Sequence, residues 1–474
     1  MSLPNQSSDF AGWYQEVVKR AEMAENSVTR GAMVIKPYGY AIWEFMQQGM
    51  DRRIKETGHQ NLYFPLLYPL RLLEKEADHV EGFTPQVAIV THAGGSKLEE
   101  PLVIRPTSEA VIWATYKNWI QSYRDLPLLY NQWANVLRWE MRPRLFLRTT
   151  EFLWQEGHTA HETAEEAMAE SKMILSDVYR TTVEEDFAMP VIPGRKSASE
   201  RFPGAQETFT IEALMRDGKA LQAGTSHYFG QNFSRAYDVK FQSRDGNEEH
   251  PYSTSWGASS RLVGGVVMVH GDEKGLRLPP KLAPYQVVVV PIYKGDQDKA
   301  KVLDACNAVA KMLNGLRVKI DDREHFRPGY KFNEWELKGV PVRLEIGARE
   351  VDADEVVVYR RDLGEKQTER LAELGERATS LMAEIQSTLF DQAEAFRDEH
   401  TYEPESYEEF NELLSTAAGF VRAPWCGEAA CEEKVKAETK ATNRALTLEP
   451  EEMSTACIVC NKDAEEMALW AQAY

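Results

Sequence analysis

Arg138-Trp139-Glu140-Met141-Arg142-Pro143-Arg144-Leu145-Phe146-Leu147-Arg148-Thr149 concentrates arginine between two apolar, strand-like stretches. Arginine suits planar, two-pronged recognition of phosphate and carboxylate. Several arginines between two strands describe a positively charged loop; the alternative is a solvated basic hairpin closed by surface ion pairs. A second segment complements it. Ser253-Thr254-Ser255-Trp256-Gly257-Ala258-Ser259-Ser260-Arg261-Leu262-Val263-Gly264-Gly265 leads through small residues to one arginine and then into an apolar strand or helix. Small residues let the backbone approach a ligand closely, and an arginine entering a buried segment needs an anionic partner. That partner is either a bound anion or one of the chain's many carboxylates. No Walker-type GxxxxGK[ST] is present, which removes the commonest other phosphate cradle.

The chain has 474 residues, too many for a single core, so several domains are expected. Hydrophobic residues at 43% and charged residues at 27% fit a soluble globular protein. The net charge of −19 taken alone argues against nucleic acid, since phosphate binding needs positive charge. The acid is unevenly spread: 369–412 and 428–466 are rich in Glu, whereas 138–148 is rich in Arg. A local basic site can therefore persist on an acidic protein. No stretch approaches the roughly 20 apolar residues of a membrane helix. MSLPNQSSDF lacks a basic segment followed by an apolar one, so a cytoplasmic location is expected.

Working outward, residues 11–60 read as largely helical, with apolar spacing from Ile42 through Met50 and Ile54 and a stop at Gly58. Leu62 to Pro69 reads as an edge strand with an exit turn. Residues 162–187 read as an amphipathic helix, and strand signals follow at 208–211, 239–241 and 262–268. Over 1–282 the pattern predicts an antiparallel sheet with helices packed on it, not alternating βαβ units. The character changes at Pro279-Pro280. Strand signals at 285–292, 316–320, 342–346 and 355–359, with a helix at 297–314, predict a small α/β domain over 283–385 with a partly parallel sheet. Residues 366–399 read as a long Glu-rich helix, and 386–474 as a third, small domain.

Four of the five cysteines, Cys426, Cys431, Cys457 and Cys460, form two knuckle-like pairs near the C-terminus. Four thiolates suit tetrahedral Zn²⁺ with no open position, hence a structural site. Free core cysteines or an iron–sulfur cluster are the alternatives. Cys306 lies in a helix pattern and reads as core.

Taken in order, these segments resemble the class II aminoacyl-tRNA synthetases. Residues 35–69 resemble motif 1, the dimer-interface helix and strand. Residues 130–160, around Arg138-Trp139-Glu140, resemble motif 2, and 253–282, with Ser259-Ser260-Arg261-Leu262-Val263-Gly264, resemble motif 3. Pro106-Thr107-Ser108-Glu109, Phe152-Leu153-Trp154-Gln155-Glu156-Gly157-His158 and Gln222-Ala223-Gly224-Thr225-Ser226-His227 are similar to the prolyl-tRNA synthetase family of the eukaryotic and archaeal type, and the likeness spans nearly the whole chain. It implies an α+β catalytic domain over 1–282, an α/β anticodon-binding domain over 283–385 and a zinc-bearing C-terminal domain over 386–474.

The activity implied is that of a ligase: ATP-dependent activation of L-proline to prolyl-adenylate, then transfer to the 3′ end of tRNA(Pro), with release of AMP and pyrophosphate. Arg138, Glu140 and Arg261 would be catalytic. Arg138, Glu140, Arg148, Thr149, Phe152, Gln222, Thr225, Ser259 and Arg261 would hold ATP with Mg²⁺. Thr107, Glu109, Arg138, Trp154, Glu156, His158 and His227 would hold proline. Glu345 and Arg349 would face anticodon bases, and a homodimer would form through motif 1. In relatives of this type a terminal tyrosine carboxylate reaches toward the active site, and the resemblance would imply the same of Tyr474. The span from His161 to Ser253 is too short for the large editing insertion of bacterial-type members, so no editing in cis is expected.

The chemistry is consistent with this. A carboxylate nucleophile is already ionised at neutral pH, so catalysis consists of alignment and charge neutralisation. Each residue also has a plain structural reading. Trp154 could be ordinary core, His158 a capping or surface residue, and Thr107 to Glu109 a capped helix start. Glu345 and Arg349 could form a strand-end ion pair. Glu212 is a candidate metal ligand by its place near the active-site strands. Rival functions are a non-catalytic relative, which would be expected to lose the arginines, or a class IIa enzyme for threonine, serine or histidine.

Overall fold

A computed structural model describes residues 3–79, 87–449 and 453–474. Among them runs an eleven-stranded sheet. Six consecutive strands, in spatial order Val191–Arg195, Glu207–Leu214, Ala220–Gly230, Tyr252–Ser259, Glu151–His161 and Leu128–Leu137, are antiparallel throughout. Side chains alternate across a strand, and here the alternation separates core from site. Phe209, Ile211 and Ala213 enter the main apolar core with Trp13, Trp43 and Tyr179. Thr208, Thr210 and Glu212, on the opposite face, hydrogen-bond to polar partners. The core face is covered by helices Pro37–Glu56, Ala164–Met173 and Arg261–His270. Gly58, at φ +91°, ends the long first-named helix, a conformation that costs glycine little.

The α/β domain is built on a five-stranded sheet in the order Val318–Ile320, Val287–Ile292, Val342–Gly347, Glu355–Arg360 and Glu365–Arg370. The first three strands are parallel and the last two pairings antiparallel, the mixed pattern expected from the sequence. The C-terminal residues have their own apolar cluster around Phe410, Trp425 and Trp470. Their strands nevertheless continue the catalytic sheet: Thr442–Leu446 lies beside Val191–Arg195 through the pairing of Leu446 with Arg195.

Three local expectations change. Residues 262–268, expected among the strands, belong to the helix Arg261–His270. Every residue from Leu262 to His270 is buried, and a helix covered on all sides shows no amphipathic period. Within 11–60 a hairpin, Ala24–Asn26 with Met33–Ile35, separates two helices. The long acidic helix begins at Leu374, because Glu365–Arg370 is the edge strand of the α/β sheet.

Candidate active site

A cavity of about 230 Å³ opens on the polar face of the large sheet. Thr107, Glu109, Arg138, Trp154, Glu156, His158 and His227 all line it, as do Phe152, Gln222, Thr225, Ser259 and Arg261. A smaller adjoining cavity adds Arg148 and Thr149 to Arg138, Phe152 and Arg261. Residues far apart in sequence meet because adjacent strands present alternate side chains at matching heights. His158 is paired with Ser255 across two strands, and Ser255 in turn with His227.

Glu109 is buried at the start of the helix Glu109–Trp119. Its carboxylate accepts hydrogen bonds from the Thr107 hydroxyl and, at 3.3 Å, from Ser255 Oγ. Ser108 occupies the N-cap position but makes no capping bond. Its hydroxyl instead donates to Glu156. The helix does start here, as the plain structural reading had it, but the N-cap hydroxyl serves a side-chain network reaching the next strands. Glu156 also accepts from Gln132 Nε2 at 2.6 Å and lies 2.9 Å from His158 Nε2. Burial would raise the Glu156 carboxyl, but the His158 bond and charge outweigh it and hold it below the usual range. Burial likewise opposes charge on His158, yet the same pairing raises its pKa. His227 has no such anion. Its Nδ1 lies 3.0 Å from Thr208 Oγ1, and burial pushes its pKa down to about 3, so it is neutral at physiological pH.

Two arginines also line the cavity. Arg138 donates through Nε to the Pro106 carbonyl at 3.0 Å, and Arg261 through Nε to the Leu147 carbonyl at 3.1 Å. Each guanidinium is fixed at its stem, which leaves the terminal nitrogens for an anion. Arg138 also lies over the Phe152 and Trp154 rings, 5.7 and 5.4 Å from the centroids. Burial lowers the proton affinity of both arginines, and at Arg261 the like charges of Arg138, Arg148 and Arg444 lower it further. Such a cluster is electrostatically unfavourable when empty and favours a polyanion.

Glu140 is in the lining of neither cavity but is bound to Arg148, which lines the second. It accepts from the Arg142 amide at 2.8 Å and pairs with Arg148 at 3.0 Å. Glu212 is fully buried between Lys196, at 2.8 Å, and Arg444, at 2.9 Å. Those two cations occupy its oxygens, which removes the ground for reading it as a metal ligand. Sequence reasoning passed over Lys196, Glu200, Phe202 and Thr208 in the cavity wall. It also passed over Ser108 and Gln132 behind Glu156. Lys196, Glu200 and Phe202 sit in a segment with no distinguishing pattern, whereas Ser108 and Gln132 lie inside family-like segments and Thr208 opens a strand signal, with nothing local to single out their side chains.

In the α/β domain, Glu345 is buried and paired with Arg343 at 2.9 Å and Lys366 at 2.8 Å. Its carboxylate is thus not free, whereas Arg349 is exposed. The four C-terminal cysteine sulfurs lie within 4.8 Å of one another. Cys426 Sγ is 3.6 Å from both Cys431 Sγ and Cys460 Sγ. A tetrahedron with metal–sulfur bonds of about 2.3 Å has sulfur–sulfur edges near ~3.8 Å, so the donor set and its spacing fit one metal ion.

Residues 91–270 match the family described as tRNA synthetase class II core domain (G, H, P, S and T). Residues 286–381 match the anticodon binding domain, and 407–474 match the C-terminal domain of prolyl-tRNA synthetase. A proline–tRNA ligase of Alkaliphilus oremlandii is 53% identical over 467 residues, covering 98% of this chain and 96% of the relative. The chain belongs to the prolyl-tRNA synthetase family. A proline–tRNA ligase of Porphyromonas gingivalis is 52% identical over 488 residues, covering 100% of this chain and 99% of its own length. The crystal structure of prolyl-tRNA synthetase from Cryptosporidium parvum complexed with halofuginone and AMPPNP agrees with a TM-score of 0.95 at 40% identity, over 100% of this chain and 99% of that one. Family membership makes the chain a ligase acting on proline and tRNA, and the α/β domain is its anticodon-binding domain. Among the described residues no helix is long and apolar enough to cross a membrane.

Proposed function

We propose that this cavity activates L-proline with ATP to form prolyl-adenylate and then passes the prolyl group to the 3′ end of tRNA(Pro). The observation that carries the reading is that one cavity is lined by a braced buried carboxylate, Glu109, and by two stem-fixed arginines, Arg138 and Arg261. The secondary ammonium of proline would pair with Glu109 beside Thr107. Its ring would lie against Trp154 and the neutral His227, with Glu156 and His158 as a rigid backing.

Held this way, the proline carboxylate faces Arg138. One of its oxygens attacks the α-phosphorus of ATP, a new P–O bond forms, and the bond to pyrophosphate breaks. Arg261 and Arg148 take the charge on the departing phosphates, and Phe152 offers a flat face to the base. Gln222, Thr225, Ser259 and Thr149 supply polar contacts along the same path, and Glu140 keeps the loop in place. No general base is needed for this step, because the nucleophile is already ionised. Mg²⁺ would arrive bound to ATP and add charge neutralisation. In the second step a tRNA ribose hydroxyl attacks the carbonyl carbon and AMP leaves.

The four cysteines would hold a structural Zn²⁺, closed to substrate because all four positions are protein sulfur. Arg349 would meet anticodon bases, while Glu345, fixed by its partners, would do so as part of a charged cluster. A homodimer would use the motif 1 region, where Tyr40, Tyr63 and Leu67 are exposed. A cytoplasmic location accords with translation substrates. Proline-dependent pyrophosphate–ATP exchange by the folded protein tests the reading, and no exchange would overturn it. The cavity discriminates against small isosteres by only about 1–3 kcal/mol per methylene, and the reading includes no editing in cis. Alanine and cysteine should therefore support slower exchange, and alanyl-tRNA(Pro) added to the protein should persist. Rapid deacylation would contradict this.

A further inference from the structure

Arg444 lies on the strand Thr442–Leu446 of the C-terminal module, a long way in sequence from the catalytic segments. Its guanidinium donates twice to Glu212 Oε2, from Nε at 3.1 Å and from Nη2 at 2.9 Å. Glu212 Oε1 accepts from Lys196 Nζ at 2.8 Å and from Thr210 Oγ1 at 2.8 Å. Lys196 Nζ also donates to the Arg444 carbonyl at 2.6 Å. Lys196 lines the cavity together with Arg261. All three ionised side chains are buried. Within this triad two cations face one anion, a balance of one positive unit, and Glu200 is a further carboxylate of the cavity wall acting on Lys196.

The same module grips this wall a second time. Glu432, next to Cys431 in the helix Ala429–Thr439, accepts a hydrogen bond from Ser199. Ser199 lies between Lys196 and Phe202, two residues of the cavity wall. A surface contact between modules would not need to bury three charges, an arrangement that stability alone seldom favours.

We infer that Arg444 is a positioning residue of the active site. It balances Glu212, so that Lys196 is held at the cavity wall as a net positive contribution to the site for the ATP phosphates, and the C-terminal module thereby completes that site. The inference rests on the adenylate-forming reading above. Its electrostatic reach is visible at Arg261, where the Arg444 charge is among those that lower proton affinity.

Removing the Arg444 charge leaves Lys196 neutralised by Glu212 and the cluster without net charge. One unit charge some ~10 Å away at an effective dielectric near ~20 corresponds to about tenfold in affinity. Arg444→Met should therefore raise KM for ATP in the exchange reaction, and Kd for ATP by calorimetry, about tenfold, with KM for proline within about twofold. Arg444→Lys should stay within about threefold of the original enzyme. The double variant Arg444→Met with Glu212→Gln restores one net positive charge and should recover most of the ATP affinity despite its extra substitution. A purely structural tie would instead make the double variant worse, and that result would overturn the inference, as would an unchanged ATP KM in Arg444→Met. If Arg444→Met does not fold, the double variant, which buries no unbalanced carboxylate, and Lys196→Met carry the comparison. The first should bind ATP nearly normally, the second about tenfold more weakly, and equal binding by both would overturn the proposal. Should the variants show these differences in ATP binding while the unsubstituted protein performs no proline exchange, the functional reading would fall and this one would stand.

Discussion

At Glu109 a buried carboxylate is held by Thr107 and Ser255 within the field of Arg138. An ionic hydrogen bond to a charged group is worth about 1.5–3 kcal/mol, or roughly ten- to a hundredfold in affinity. Glu109→Ala should raise KM for proline in the exchange reaction by about that factor and change KM for ATP little. An unchanged proline KM would remove Glu109 from the pocket. The importance of Thr107, Glu109, Trp154 and His227 was legible in the sequence because each sits in a short segment of family-like pattern. Lys196 and Arg444 were not legible. Their link to Glu212 spans up to 232 residues, and nothing local marks a lysine in a polar loop or a lone arginine in a short strand.

The strands and helices that carry the site are held by close fits that leave little room for change. Gly157 faces the Trp256 ring on the next strand, and a Cβ there would lie 2.1 Å from Trp256 Cζ2. Gly157→Ala should therefore lower stability by about 1–3 kcal/mol, seen as a reduced Tm, and exchange activity should fall as the Glu156–His158 strand shifts. An unaltered Tm would show that Trp256 can move aside. The cysteine centre joins the end of one strand, the helix Ala429–Thr439 and the 457–460 turn, and the strand bearing Arg444 follows that helix in the chain. Cys457→Ser should lose bound zinc by metal analysis and lower the Tm. Full metal content in that variant would refute the four-thiolate site. The helix Arg261–His270 was misread as strand-like because its surroundings, not its own pattern, decide its conformation.

At the scale of the whole molecule, three of the buried histidines among the described residues tie stability to pH. Burial depresses His161 to about 4 and His227 and His270 to about 3. With folded values below the ordinary 6.5, the unfolded chain takes up their protons first as pH falls. Stability from this source is complete above about 6.5 and is lost toward 4 and 3. His158 acts in the opposite sense: its raised pKa gives a contribution that is whole below the ordinary value and is lost as pH rises through the folded value. Between pH 6 and 4.5 unfolding free energy should fall by up to about 1.4 kcal/mol per pH unit for each buried neutral histidine. Urea midpoints across that range check it. His161→Gln should flatten the slope by the share of one proton, and a flat profile in the unaltered protein would contradict the assignment.

The sequence by itself determined the antiparallel α+β catalytic core, the mixed-sheet α/β domain, the arginine pair and the four-cysteine set. Each of these is written in local period, turn residues or short spaced motifs, which neighbouring residues enforce. The tertiary structure alone decided how the pieces share work. It joined the C-terminal strands to the catalytic sheet, caged Glu212 between Lys196 and Arg444, fixed Glu345 in an ion pair and turned an apolar run into a buried helix. Those outcomes depend on contacts between distant segments, whose energies no local pattern encodes.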